Sequence, residues 1–198
     1  MHKDVRRLTG LAALVVAVFS FPALAAEGPR YTYGELGYQR VDFDNFSENE
    51  DAGYLNGSLA LDDRLFLVAD GSYGTIDTSG PNIDVTTLDA GLGFHTPLNQ
   101  KVDFVAQVAY VWWKVDAGRF GHDDEDGIGL RGGLRAMVTP QLELNGGVSY
   151  VDLSGGDDNT SAYFGAVYNL TEVLSLSGKV DVGDNLTTYG VGLRMYFE

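Results

Sequence analysis

Cysteine is absent from the 198-residue chain, which excludes a disulfide framework and any thiolate-bound metal. Proline is scarce at five residues, and bases are few: 13 Lys and Arg stand against 28 acids, a net charge of −15. A surface that neutralises phosphates must be basic, so nucleic acid is excluded as a partner. Beyond residue 25 no apolar run approaches the ~18 residues of a membrane-spanning helix. The chain is instead rich in glycine, with 26 residues, and in aromatic side chains, at 12%. Many glycines and aromatics with few prolines suit long β-strands.

The first 25 residues read as a separate piece. Lys3, Arg6 and Arg7 supply a basic start, "LTGLAALVVAVFSF" an apolar core, and "ALA" at 23–25 the small residues of a cleavage site. This is the pattern of a secretory signal, and its apolar run is short for a spanning helix. The expected mature chain starts at Ala26 or Glu27, so residues 26–198 form one domain outside the cytoplasm. The leader carries a net +2 (Lys3, Arg6 and Arg7 against Asp4), so the remainder carries −17.

Along that remainder, apolar and polar residues alternate with a period of two, the signature of half-buried strands. Ten runs stand out: 31–41, 54–61, 64–74, 86–96, 102–115, 127–138, 142–150, 161–170, 174–182 and 187–198. In "TTYGVGLRMYFE", for example, Tyr189, Val191, Leu193, Met195 and Phe197 share one face, with Thr188, Gly190, Gly192 and Arg194 opposite. Connections alternate too. Short turns fall at 62–63, 96–101, 139–141 and 171–172, and longer loops at 42–53, 76–85, 116–126 and 152–160. Strands of about 9 to 13 residues with tight turns at one end and loops at the other fit an all-β, antiparallel up-and-down transmembrane β-barrel. Ten strands are expected, with eight as the alternative.

Period alone does not say which face meets lipid, because a soluble barrel alternates with its apolar face inward. The polar face decides. It carries charges in mid-strand (Glu35, Asp70, Asp89, Asp103, Arg131, Arg135, Glu143, Lys179, Asp181, Arg194) and only scattered large apolar residues such as Phe66, Val105 and Trp113. The apolar face sorts its aromatics into two bands. Tyr38, Tyr73, Tyr110, Trp112, Tyr150 and Tyr189 lie toward the loops, and Phe94, Tyr168 and Phe197 toward the short turns. Two bands match the two membrane interfaces. The last strand then needs no covering element, because lipid solvates its apolar face and pairing with the first strand closes its edge.

The alternation and the closing "YGVGLRMYF" resemble the small outer-membrane β-barrel proteins of Gram-negative bacteria, the OmpA-like and opacity-type, porin-like group. "YTYGELGYQRVD" and "LELNGGVSYVDL" resemble short barrels of the same kind. The resemblance implies that the barrel-assembly machinery reads the last strand through Leu193, Met195 and the near-terminal Phe197, after which only Glu198 follows. It implies a bacterial outer-membrane location and a monomer in contact with lipid and lipopolysaccharide. It brings no catalytic motif.

The inward charges admit two readings: an ion-pair network that fills the barrel, since buried charges must be paired, or a narrow path for ions or small solutes. A barrel of about this size is nearly filled by side chains, which favours the network. Closure predicts that Glu35 and Arg194 meet inside. The loops hold sixteen acids against the single base Arg119. Carboxylates suit hard cations, and Asp123, Asp124 and Asp126 are the candidates, although "HDDEDG" lacks the ligand spacing of a Ca²⁺ loop. His95 is placed at a short-turn end and His122 in the third loop, and neither has an evident nucleophile partner. No cofactor and no enzymatic activity are expected. The reading is a non-enzymatic surface or structural barrel of the envelope, with a narrow channel as the alternative and a barrel enzyme acting on lipid or peptide behind both.

Overall fold

The computed structural model describes residues 28–44, 49–76, 82–156 and 158–197. The expected signal segment, 1–25, lies outside the described residues, as does Glu198. Ten strands form: β1 (Tyr33–Phe43), β2 (Asn49–Ala60), β3 (Leu65–Ile76), β4 (Ile83–Asn99), β5 (Val102–Asp116), β6 (His122–Met137), β7 (Leu142–Leu153), β8 (Asp158–Asn169), β9 (Leu174–Gly183) and β10 (Leu186–Tyr196). Each pairs antiparallel with its sequence neighbours, and β1 pairs with β10 to close the sheet into a barrel. Closure leaves no unpaired strand edge, the condition a sheet must meet in hydrocarbon.

The face assignment follows from exposure. Leu55 is 66% exposed, whereas Glu143 is 2% exposed, so the apolar parity points out and the charged parity in. Leu36, Tyr73, Tyr110, Leu130, Val191 and Phe197 are all exposed outward. In water this would be a continuous apolar belt; against acyl chains it needs no cover. Inside, close packing depends on glycine at two places. A side chain at Gly93 would put its Cβ 2.1 Å from the Phe66 ring, and one at Gly37 would lie 2.5 Å from the Tyr54 ring.

Two boundary expectations are corrected. The strands run further toward the loop end than alternation suggests: β2 begins at Asn49, and β6 at His122. The acidic run 122–126 is therefore ladder rather than loop, with Asp116 opposite His122 and Trp112 opposite Asp126. Beyond the membrane both faces of a ribbon touch water, so hydrogen bonding continues after the hydropathy alternation has stopped. At the other end β4 extends through Pro97 to Asn99, where its register with β5 shifts.

Candidate functional site: the barrel interior

The short-turn end of the interior is sealed. Residues 28–32, preceding β1, turn into the lumen, where Tyr31 packs with Phe66 and Val105 in one buried cluster. The Tyr31 ring lies 4.8 Å from Phe66 and stacks on His95 at 3.8 Å. Its hydroxyl donates to Asp103 Oδ2 at 2.9 Å, while His95 Nδ1 sits 3.1 Å from the same oxygen. Ser58 Oγ donates to the Tyr31 carbonyl at 2.7 Å.

Above the seal two arginine–carboxylate clamps cross the lumen wall. Arg194 Nε donates to Glu35 Oε2 at 2.7 Å, and Tyr54 Oη to Glu35 Oε1 at 2.8 Å. The register sets Glu35 opposite Arg194 across the β1–β10 seam, as closure requires. Arg135 grips Glu143 with two bonds, at 2.8 and 3.0 Å, and also donates to the Arg30 carbonyl. Two-pronged arginine pairs fix geometry as well as charge. Arg194 stacks on Tyr33 at 3.9 Å and Arg135 on Tyr31 at 4.5 Å, so the clamps and the seal share side chains.

The middle is looser. Arg131 reaches across to Asp181 at 3.5 Å and lies over Tyr163. Lys179 makes its close contact with the Tyr54 ring at 3.9 Å. Asp70 and Asp89 face each other directly between β3 and β4. Asn56 donates to Asp70 at 2.7 Å, whereas Asp89 Oδ1 has no partner among the described residues. Cavities of about 140 and 270 Å³ lie here, sharing Asp70, Arg131, Lys179 and Asp181 in their walls.

Toward the loops the wall turns apolar. Val41, Ile76, Ile83, Val85 and Trp113 line a cup of about 620 Å³, with Phe43, Val115 and Leu186 at its side. Glu50 is the one acid in that lining, and it is only 5% exposed. Around the rim, Arg40 lies 3.3 Å from Asp42 and 3.8 Å from Asp51, and Lys114 3.6 Å from Asp116.

Of the ten inward charges expected, Glu35, Arg194, Arg135, Glu143, Arg131 and Asp181 pair with one another. Asp103 pairs with Tyr31 and His95 instead of with an arginine or lysine. Asp70, Asp89 and Lys179 line the cavities. His95, at the short-turn end, shares the inward parity of Asp89, Gly91 and Gly93 and reaches the seal. The picture of loop acids answered by Arg119 alone is corrected, because Arg40 and Lys114 reach up from the strands. The metal candidates are separated by strand alternation, with Asp124 and Asp126 on one face of β6 and Asp123 on the other. Among the described residues no three His, Asp or Glu side chains gather closely enough to hold an ion. Sequence reasoning missed Tyr31, Tyr54 and Glu50. Parity would have found Tyr54 and Tyr31, which share the inward parity of Asn56 and of Glu35 in their runs, whereas Glu50 stood in an expected loop.

No curated protein matches the chain. Among solved structures it is similar to the COG4313 outer membrane channel from Pseudomonas putida F1, at 15% identity and a TM-score of 0.52, over 91% of this chain and 100% of that one. It is also similar to Ail, the attachment invasion locus protein of Yersinia pestis, at 14% identity and a TM-score of 0.45, over 84% and 100%. The KdgM porin aligns at 11% identity and a TM-score of 0.44, over 83% and 99%. At such identities the likeness speaks to fold alone. The sequence itself carries the family further, since the model of the outer membrane protein β-barrel domain matches residues 11–169. With the closed ten-stranded sheet, its lipid-facing belt and that match together, the chain belongs to the outer membrane protein β-barrel domain family.

Proposed function

We propose that the protein is a non-enzymatic surface and structural barrel of the bacterial outer membrane, with a lumen that does not conduct. The observation that carries this reading is the seal. Tyr31, Phe66 and Val105 fill the short-turn end, and the Arg194–Glu35 and Arg135–Glu143 clamps brace it. Buried pairs of this geometry are strongly destabilised by loss of one partner, so they hold the end shut. Among the described residues no serine or threonine hydroxyl is hydrogen-bonded to a histidine, which agrees with a role without chemistry.

The outward residues of β10 and the segment after it, Leu193, Met195 and Phe197, fit the role of assembly signal. All three are exposed on the lipid face, and Phe197 N donates to the Thr32 carbonyl at 3.1 Å. The monomer then contacts lipid and lipopolysaccharide, and the barrel-assembly machinery during its biogenesis. Residues 1–25 act as the cleaved export signal in this reading.

Planar-bilayer recording tests it. The mature chain should give no stepwise current, while Tyr31→Ala with Phe66→Ala should open one. Steady unitary currents from the parent would instead establish the narrow-channel reading, which the two adjoining mid-lumen cavities favour.

A further inference from the structure

The outer cup is the part of the lumen that neither the seal nor the ion pairs explain. Its volume, about 620 Å³, is that of a site for a small organic molecule. Glu50 lies in register between Val41 on β1 and Ile76 on β3, so an acid is flanked by apolar side chains on both sides. Gly74 makes room for it, since a Cβ there would come within 2.5 Å of Glu50 Oε1. Glu50 is 5% exposed as a residue, and no hydrogen bond or ion pair reaches its carboxylate from the described residues. Burying a carboxylate without a partner is costly, and a cation brought into the same apolar space offsets that cost.

Asp42, Asp51, Asp84 and Asp116 stand at the same end on the outward parity of their strands, where Arg40 and Lys114 answer part of the charge and Thr75 donates to Asp84. A mouth dominated by one sign raises the local concentration of the opposite ion.

We propose that the outer cup is a binding site for small hydrophobic organic cations, which place a hydrocarbon group against Val85 and Trp113 and an ammonium on Glu50. The site goes beyond the structural role and does not depend on it: a dead-end cup and a vestibule to a channel bind the same ligand.

The test uses the mature protein in lipid nanodiscs. Only two tryptophans exist, and Trp113 lines the cup, so a Trp112→Phe background makes emission a direct reporter. Three probes of one shape are titrated: cyclohexylmethylammonium, cyclohexylmethanol and cyclohexanecarboxylate. The ammonium should shift Trp113 emission saturably, with a Kd at least tenfold below that of the alcohol, and the carboxylate should not bind. That preference should persist at 0.5 M salt, where attraction to the rim is screened. Glu50→Gln should raise the ammonium Kd to that of the alcohol and leave the alcohol unchanged, while Val85→Phe should weaken both. Equal binding of ammonium and alcohol by the parent would overturn the proposal, as would no binding of either or an unchanged ammonium Kd in Glu50→Gln. The comparison of probes on the parent and the Val85→Phe result decide the matter even if Glu50→Gln does not fold.

Discussion

The two ends of the interior use the same material to opposite effect. At the short-turn end Phe66 and Val105 point inward and are buried against Tyr31; at the loop end Val41 and Val85, buried too, line a cup with Trp113. The difference is one segment. Residues 28–32 enter the short-turn end and deliver Tyr31, and no described segment enters the other. Inward apolar residues therefore make a seal or a site according to whether a piece of chain arrives to fill the space they enclose. The two buried carboxylates follow the same division: Glu35 is met by Arg194 and Tyr54, and Glu50 by apolar neighbours.

Truncating an aromatic side chain at each end gives the largest expected contrast. Phe66→Ala should lower stability by about 3–5 kcal/mol, the range for emptying a packed aromatic site. Trp113→Ala, at the wall of an existing cup, should cost less than half of that. Urea unfolding in lipid, followed by gel mobility for both variants, checks the difference; equal losses would mean that the cup is as tightly packed as the seal.

Carboxylate removal comes next. Glu35→Ala leaves the Arg194 guanidinium buried and uncompensated and should cost about 3 kcal/mol. Glu50→Gln removes a charge that has no partner, and should be neutral or stabilising by about 1 kcal/mol. The same unfolding assay decides, and a loss in Glu50→Gln comparable to that in Glu35→Ala would reveal a partner for Glu50 that the described contacts do not contain.

A subtler effect sits at the β2–β3 turn, at the short-turn end of the barrel. The backbone N–H groups of Arg64 and Leu65 donate to Asp62 Oδ1 at 2.7 and 2.8 Å and hold its carboxyl below the usual aspartate range. A lowered folded-state pKa contributes stability that is fully present above the ordinary aspartate range and lost as pH falls through the lowered value. The gap in unfolding midpoint between the parent and Asp62→Ala should thus be small at pH 6 and should vanish toward pH 2. A gap that widens on acidification would contradict this sign.

Much of the barrel was legible beforehand because lipid imposes a strict rule. Along 102–113 of β5, Phe104, Val108 and Tyr110 must face hydrocarbon while Asp103 and Gln107 face inward, so alternation shows directly in the residues. The Glu35–Arg194 pair was legible for the same reason: once the first and last strands are neighbours, their inward residues meet. The rule lapses where the lipid ends. Residues 122–126 still pair with β5, yet water touches both faces there and leaves no periodic mark. The interior followed no such rule either, because its partners are set by reach across the lumen. Arg131 finds Asp181 three strands away, and Asp103 finds Tyr31, which stands before the first strand.

The chain of letters alone thus determined an antiparallel membrane barrel of ten strands, with eight as the alternative, and the face each strand shows to lipid, since mid-strand charge, aromatic bands and the need to pair every backbone group leave few solutions. Only the tertiary structure decided that one end of the lumen is plugged and the other hollow. That outcome depends on distances between residues far apart in sequence, and on where a short segment comes to rest, which no local pattern encodes.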